Sequence, residues 1–271
     1  MSGAICVRDL WKRYGDRPVL KGISFTVERG EIFALLGVNG AGKTTALECL
    51  EGLRPYDGGT VTVTGRTGAQ LQSAALPDYI RAMEAVELFA RWRGTGPDRA
   101  ALAALGIGGL GKTPYRRLST GQKRRLHLAL ALTGDPDILF LDEPTAGLDV
   151  EGRLALHGLI RDLRDRGKTI VLASHDMAEV ESLCDRLIIL SGGTAAFLGT
   201  AGELTERVEK RRNVWVRTDK GEERFAVENV GEALLSLLEG YRAAGTAVLD
   251  VRVDRGTLED HFMRIAREAE R

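Results

Sequence analysis

IFALLGVNGAGKTT, from Ile32 to Thr45, decides the fold. Ile32 to Leu36 is a short unbroken apolar run, as a strand buried on both faces would be. Gly37 to Thr44 fits G-x-x-x-x-G-K-[ST], and helix formers follow from Lys43 to Glu51. The glycines let backbone N–H groups turn inward around phosphate oxygens, and the helix N-terminus adds partial positive charge. Lys43 is placed to reach β- and γ-phosphates, and the Thr44 hydroxyl to ligate Mg²⁺. A glycine-rich turn before a helix is the plain alternative, but strand, loop and helix all stand in the order the motif needs.

Outward from this stretch, the pattern repeats. Ile138–Leu141 and Thr169–Ala173 are further apolar runs, and Glu151–Arg166 between them is an amphipathic helix. Strands separated by helices imply βαβ units and a parallel sheet, hence an α/β fold. Ile5–Trp11 and Ser24–Val27 precede any helix and predict an antiparallel flank. Asp78–Arg93 and Pro97–Leu105 predict two helices with no strand between them, a helical insert over about 73–117. Beyond Gly199 the expected order is a charged helix (Glu203–Arg212), strands at 213–217 and 224–227, a helix at 230–238, a strand at 247–253 and a closing helix at Thr257–Arg267. The domain boundary falls near Arg212, giving a main domain (1–212) and a small α+β appendage (213–271).

Two of the apolar runs end in chemistry. Ile138–Leu141 runs into Asp142 and Glu143, at the strand end where ligands collect in such sheets. Asp142 is placed to hold Mg²⁺ and Glu143 to polarise an attacking water. Thr169–Ala173 leads to Ser174-His175-Asp176, and His175 at the same edge could donate a hydrogen bond to a terminal phosphate. Leu118-Ser119-Thr120-Gly121-Gln122 reads as a helix start richer in small polar residues than a cap alone requires.

Composition narrows the class. The 271 residues carry 38 Lys+Arg against 38 Asp+Glu, which argues against a nucleic-acid partner. No apolar run approaches the roughly 18–20 residues a bilayer span needs, and the N-terminus has no apolar signal core. The expectation is a cytosolic chain whose membrane role, if any, requires a separate partner. Cys6, Cys49 and Cys184 are far apart and show neither metal nor redox spacing.

Taken together these motifs resemble the ATP-binding subunits of ABC transporters, in the family's order: Tyr14, Gly37–Thr45, Gln72, Leu118–Gln122, Asp142–Glu143, Ala146–Asp149 and His175. LDEPTAGLD, QLQSAALPD and Thr257–Phe262 are similar in texture to the ATPases of bacterial drug and antibiotic exporters. The resemblance implies a P-loop core with ATP and Mg²⁺ as ligands. ATP would be held by Tyr14, Gly37, Asn39, Gly40, Ala41, Gly42, Lys43, Thr44 and Thr45, and the metal by Thr44, Gln72 and Asp142. Glu143, His175 and Gln72 would be catalytic, with Gln70 a rival to Gln72. Ser119, Thr120, Gly121 and Gln122 would contact the nucleotide of a second copy, and Asp149 would bridge to that copy. It further implies a homodimer on the cytoplasmic face of a membrane, bound to a separate transmembrane permease. A soluble relative acting on ribosomes or DNA, and a non-hydrolysing structural subunit, are the weaker alternatives. Three positions depart from the family pattern: Val38 replaces a frequent proline, Thr120 replaces a usual glycine, and the stretch from Lys43 to Gln72 is short, with Arg66–Ala69 expected to splice two strands directly.

Overall fold

Strands buried on both faces explain the layers, and the elements follow in chain order. In the computed structural model, which describes residues 3–71, 75–209, 212–227, 229–254 and 262, β1 (Ile5–Tyr14) and β2 (Arg17–Val27) pair antiparallel. β3 (Ile32–Leu36) is wholly buried, and α1 (Lys43–Leu50) opens from the glycine loop. β4 (Gly58–Val63) and β5 (Thr67–Gln70) come next. The insert holds α2 (Ala82–Trp92) and α3 (Arg99–Ala104), and α4 (Thr120–Leu132) leads to β6 (Ile138–Asp142). Then come α5 (Val150–Asp165), β7 (Thr169–Ser174), α6 (Met177–Leu183), β8 (Arg186–Ser191), β9 (Thr194–Gly199) and α7 (Ala201–Glu209). The appendage comprises β10 (Arg212–Thr218), β11 (Gly221–Val227), α8 (Val230–Ala243) and β12 (Val248–Asp254).

The central sheet has the order β5-β6-β7-β3-β8-β9, parallel except for β9 at the edge. Successive side chains point to opposite faces. Phe33, Leu35, Phe140, Val171 and Ile188 therefore face one cluster, shared with α1 and the antiparallel sheet β2-β1-β4. Phe25 stacks on Phe33 there, with ring centroids 5.3 Å apart. Ile32, Ala34, Leu36, Leu139, Leu141, Ile170 and Leu172 face the other cluster, built with α2 to α6. Burial on both faces is why these strands read as continuous apolar runs. Among the described residues no helix is long and apolar enough to cross a membrane.

Several sequence expectations need correction. The direct link expected at Arg66–Ala69 joins strands of two different sheets, β4 in the antiparallel sheet and β5 in the parallel one, and residues 67–69 are themselves part of β5. The Arg66 amide donates to Asp137 Oδ2 at 2.8 Å and so sets the chain beside β6. Gly68 is required there, because a Cβ would lie 2.0 Å from the Ala131 carbonyl oxygen of α4. The helix expected from Asp78 starts at Ala82, since Arg81 is extended and bridges Pro114 while Glu84 accepts the Arg81 amide. The helix expected to reach Arg212 ends at Glu209, and Arg212 already pairs with Val227. The closing helix at 257–267 lies outside the described residues apart from Phe262, which is buried in the main cluster.

Phe140 is fully buried at the centre of β6. Phe140→Ala should cost about 3–5 kcal/mol of unfolding free energy by urea titration. A loss below about 1 kcal/mol would mean that the sheet face it fills is not the core.

Candidate functional site

The parallel ladder sets three strand ends level. Leu36 is in register with Ser174, and Ala173 with Asp142. The residues that follow, Gly37, Glu143 and His175, therefore leave the sheet along one edge. A cavity of about 330 Å³ opens beside them, lined by Tyr14, Asn39, Gly40, Gly42, Lys43, Thr44, Thr45 and Glu143. Gly42 caps α1 at φ +103°, where a side chain would be strained and its Cβ would lie 2.9 Å from Leu20 Cδ2. Ala41 does not line the cavity but packs into the core beneath the loop. Tyr14 is exposed at the rim, with Lys12 Nζ and Arg54 Cζ 5.5 and 5.2 Å from its ring centroid. Arg17 and Val19 also line the cavity and were missed; Arg17 pairs with Tyr14 across the hairpin, a register the sequence does not display.

Lys43 is buried, and Nζ donates to the carbonyls of Gly37 (2.7 Å) and Val38 (3.3 Å). Burial pushes its ammonium pKa down, while Glu143 (3.8 Å away) and Asp142 oppose that shift. Burial raises Asp142, partly offset by a hydrogen bond with Thr44. Asp142 Oδ1 is buried without a partner. A buried orphan oxygen beside a hydroxyl suits a small hard cation, which takes one or two protein oxygens and fills its remaining positions from water and phosphate. Among the described residues, no group of three or more His, Cys, Asp or Glu could hold a metal ion. Glu143 sits at φ +49°, in the left-handed region. Both of its carboxylate oxygens lie within hydrogen-bond reach of His175 Nδ1, at 2.9 and 2.8 Å. This is a carboxylate and an imidazole paired beside a phosphate loop, the equipment for activating water.

Ser119–Gln122 stand elsewhere, around a separate groove of about 640 Å³ with Leu148 and Asp149. Ser119 is the N-cap of α4: its Oγ accepts the Gln122 amide (3.3 Å), and Gln122 Oε1 accepts the Ser119 amide (2.9 Å). This small polar stretch is thus a capping box. Thr120 Cγ2 lies 3.2 Å from where a Cβ on Gly147 would be, so the extra methyl is housed against a glycine of the same chain. Asp149 caps α5 through the Gly152 amide at 2.8 Å. Gln72 lies outside the described residues. Gln70, its rival, is buried at the end of β5 and lines the groove with both amide atoms unpartnered.

A parallel sheet with a glycine loop, buried lysine and paired carboxylates at one edge defines a P-loop nucleotide-binding protein. The ABC transporter family model matches residues 20–146. The daunorubicin resistance ATP-binding protein DrrA3 of Streptomyces coeruleorubidus is 32% identical over 97% of this chain and 95% of its own length. The Nod factor export ATP-binding protein I of Burkholderia orbicola is 39% identical over 73% of this chain and 71% of its own. The linearmycin resistance ATP-binding protein LnrL of Bacillus subtilis is 35% identical over 73% and 69%. A solved ATP-binding subunit of an ABC transporter superposes with a TM-score of 0.70 at 25% identity, covering 75% of this chain and 92% of that one. The chain belongs to the ABC transporter family, as an ATP-binding, ATP-hydrolysing subunit.

One acid near the site departs furthest from its ordinary state. Both Glu51 carboxylate oxygens are buried without a partner at the end of α1. Burial first, then Asp142 and Glu48, push its pKa from 4.5 up to about 8. The folded state holds this proton more tightly than the unfolded chain does. The corresponding stability is complete below the unfolded value and is lost as pH rises through about 8. Glu51→Gln should match wild type near pH 5 and be more stable near pH 8.5, by on the order of 2–3 kcal/mol in urea titrations. Equal stability differences at both pH values would rule out a buried neutral carboxyl.

Proposed function

We propose that two copies of this chain clamp two ATP molecules between them, hydrolyse them, and drive a separate membrane permease that exports a drug, antibiotic or other small amphipathic compound or peptide. The observation that carries the reading is the pairing of Glu143 with His175 at the edge from which the phosphate loop also leaves. The loop amides and Lys43 bind the phosphates, and Tyr14 offers its ring face to the base. Thr44 and Asp142 would hold Mg²⁺, with Gln72 as a further contact; the ion supplies charge neutralisation on the β- and γ-phosphates. Glu143 accepts a proton from the attacking water as its oxygen bonds to the γ-phosphorus and the bridging P–O bond breaks. His175 holds Glu143 and reaches the departing phosphate.

Ser119 to Gln122 line a groove apart from the loop cavity of their own chain. That separation favours their service to a second copy, with Asp149 crossing the same two-fold axis. ATP then glues the pair, and hydrolysis releases it. Residues 1–212 are read as the ATPase domain, with the insert at 73–117 facing the permease, and residues 213–271 as an accessory domain that packs back and adds dimer contacts. Burial of Phe262 in the main cluster supports the packing back. The named relatives of Nod factor export and of daunorubicin and linearmycin resistance support export over import. With no spanning helix among the described residues, the chain would sit on the cytoplasmic face through its partner.

Glu143→Gln should keep ATP affinity within about threefold and lower turnover at least ~100-fold. It should also accumulate an ATP-bound dimer by light scattering; undiminished turnover would overturn the general-base role. A mild-detergent pull-down of the full chain should recover a polytopic membrane protein that stimulates ATP hydrolysis. Recovery of nucleic acid with a steep salt dependence would instead favour a soluble role.

A further inference from the structure

Behind the site lies a buried polar chain that the proposed reaction does not use. Glu179 of α6, His157 of α5 and Ser174 at the end of β7 are all nine-tenths or more buried. Glu179 Oε1 lies 3.3 Å from His157 Nε2, and a carboxylate only accepts, so Nε2 carries the proton. Ser174 Oγ donates to Glu179 Oε2 at 2.6 Å and accepts the Asp176 amide at 3.1 Å. Asp176 Oδ1 in turn accepts the Glu179 amide at 3.1 Å, capping α6. His175 is thus flanked by Ser174 and Asp176, both held by Glu179. Its own ring is more than half exposed, and its hydrogen bond is to Glu143.

The chain also reaches the other half of the proposed dimer contact. Arg153 and His157 are four residues apart on one face of α5. Arg153 lies 3.6 Å from Asp176, as His157 lies against Glu179. The same helix is capped by Asp149. Buried polar groups cost stability unless fully partnered, and apolar side chains of similar volume would pack as well. A satisfied set of this kind fixes one geometry rather than merely filling space.

We propose that His157 is a positioning residue for hydrolysis: through Glu179 and Ser174 it fixes the main chain at 174–176, and with it the contact of His175 with Glu143, and ties that contact to the α5 helix that Asp149 caps. The inference rests on His175 and Glu143 serving catalysis as described above. It calls for ATPase kinetics on the full-length protein. His157→Phe keeps the volume and removes the donor; Ser174→Ala removes one hydroxyl; His157→Gln restores a donor. Both His157→Phe and Ser174→Ala should lower kcat about tenfold with KM for ATP within about twofold, and His157→Gln should recover most of the loss. In a His175→Ala background, followed by single turnover, His157→Phe should cost nothing further. Unchanged kcat, a raised KM alone, or an equal loss with and without His175 would each overturn the proposal. Should His157→Phe fail to fold, Ser174→Ala decides in the same way. Wild-type turnover in His175→Ala alone would instead overturn the reading of the site, whereas its loss beside a silent His157→Phe would overturn only this inference.

Discussion

The hydrogen-bonded ladder through β6, β7 and β3 governs both the core and the chemistry. It pairs Asp142 with Ala173 and Ser174 with Leu36, and the three loops leave from those pairs. A slip of one residue would turn every side chain to the opposite face. Phe140 would leave the cluster under α1, and Asp142 would turn away from Thr44 in the same move. The apolar packing that holds the register is thus also what aligns the acid, the base and the phosphate loop.

Charge at that edge is unevenly distributed. Asp142 and Glu143 crowd around one buried lysine, Glu51 lies within the field of Asp142, and burial drives the pKa values of Lys43 downward and of Asp142 and Glu51 upward. Each shift disfavours the charged form, so burial works against the charges at this edge. A bound phosphate needs positive charge and a bound cation needs negative charge. Together they would relieve what neither relieves alone, a physical reason for the two to bind as a pair.

Much of this was readable in the sequence because the decisive signals are local. Ile32–Leu36 is the strand expected, and the helix after the loop starts at Lys43 as expected. Asp142, Glu143 and His175 were legible as residues at the ends of apolar runs. What escaped was set by contacts between distant segments. Nothing at Arg66 announces the pull of Asp137 that carries β5 into the other sheet. His157 looks like one polar residue on an amphipathic helix until α6 is packed against it. The small polar residues at 119–122 suggested more than a cap, yet two of them form a reciprocal cap as well.

Glu143 occupies a backbone conformation that β-branched side chains avoid, φ +49°. Its neighbours hold it there at a cost of order 1 kcal/mol or more. Replacement by glycine or asparagine would relax that strain, so the changes that most readily stabilise this turn are also ones that remove the proposed base. Selection for thermal robustness and selection for turnover therefore pull this one position in opposite directions. A search for sturdier variants of the chain would tend to accumulate proteins that bind nucleotide and do not release it.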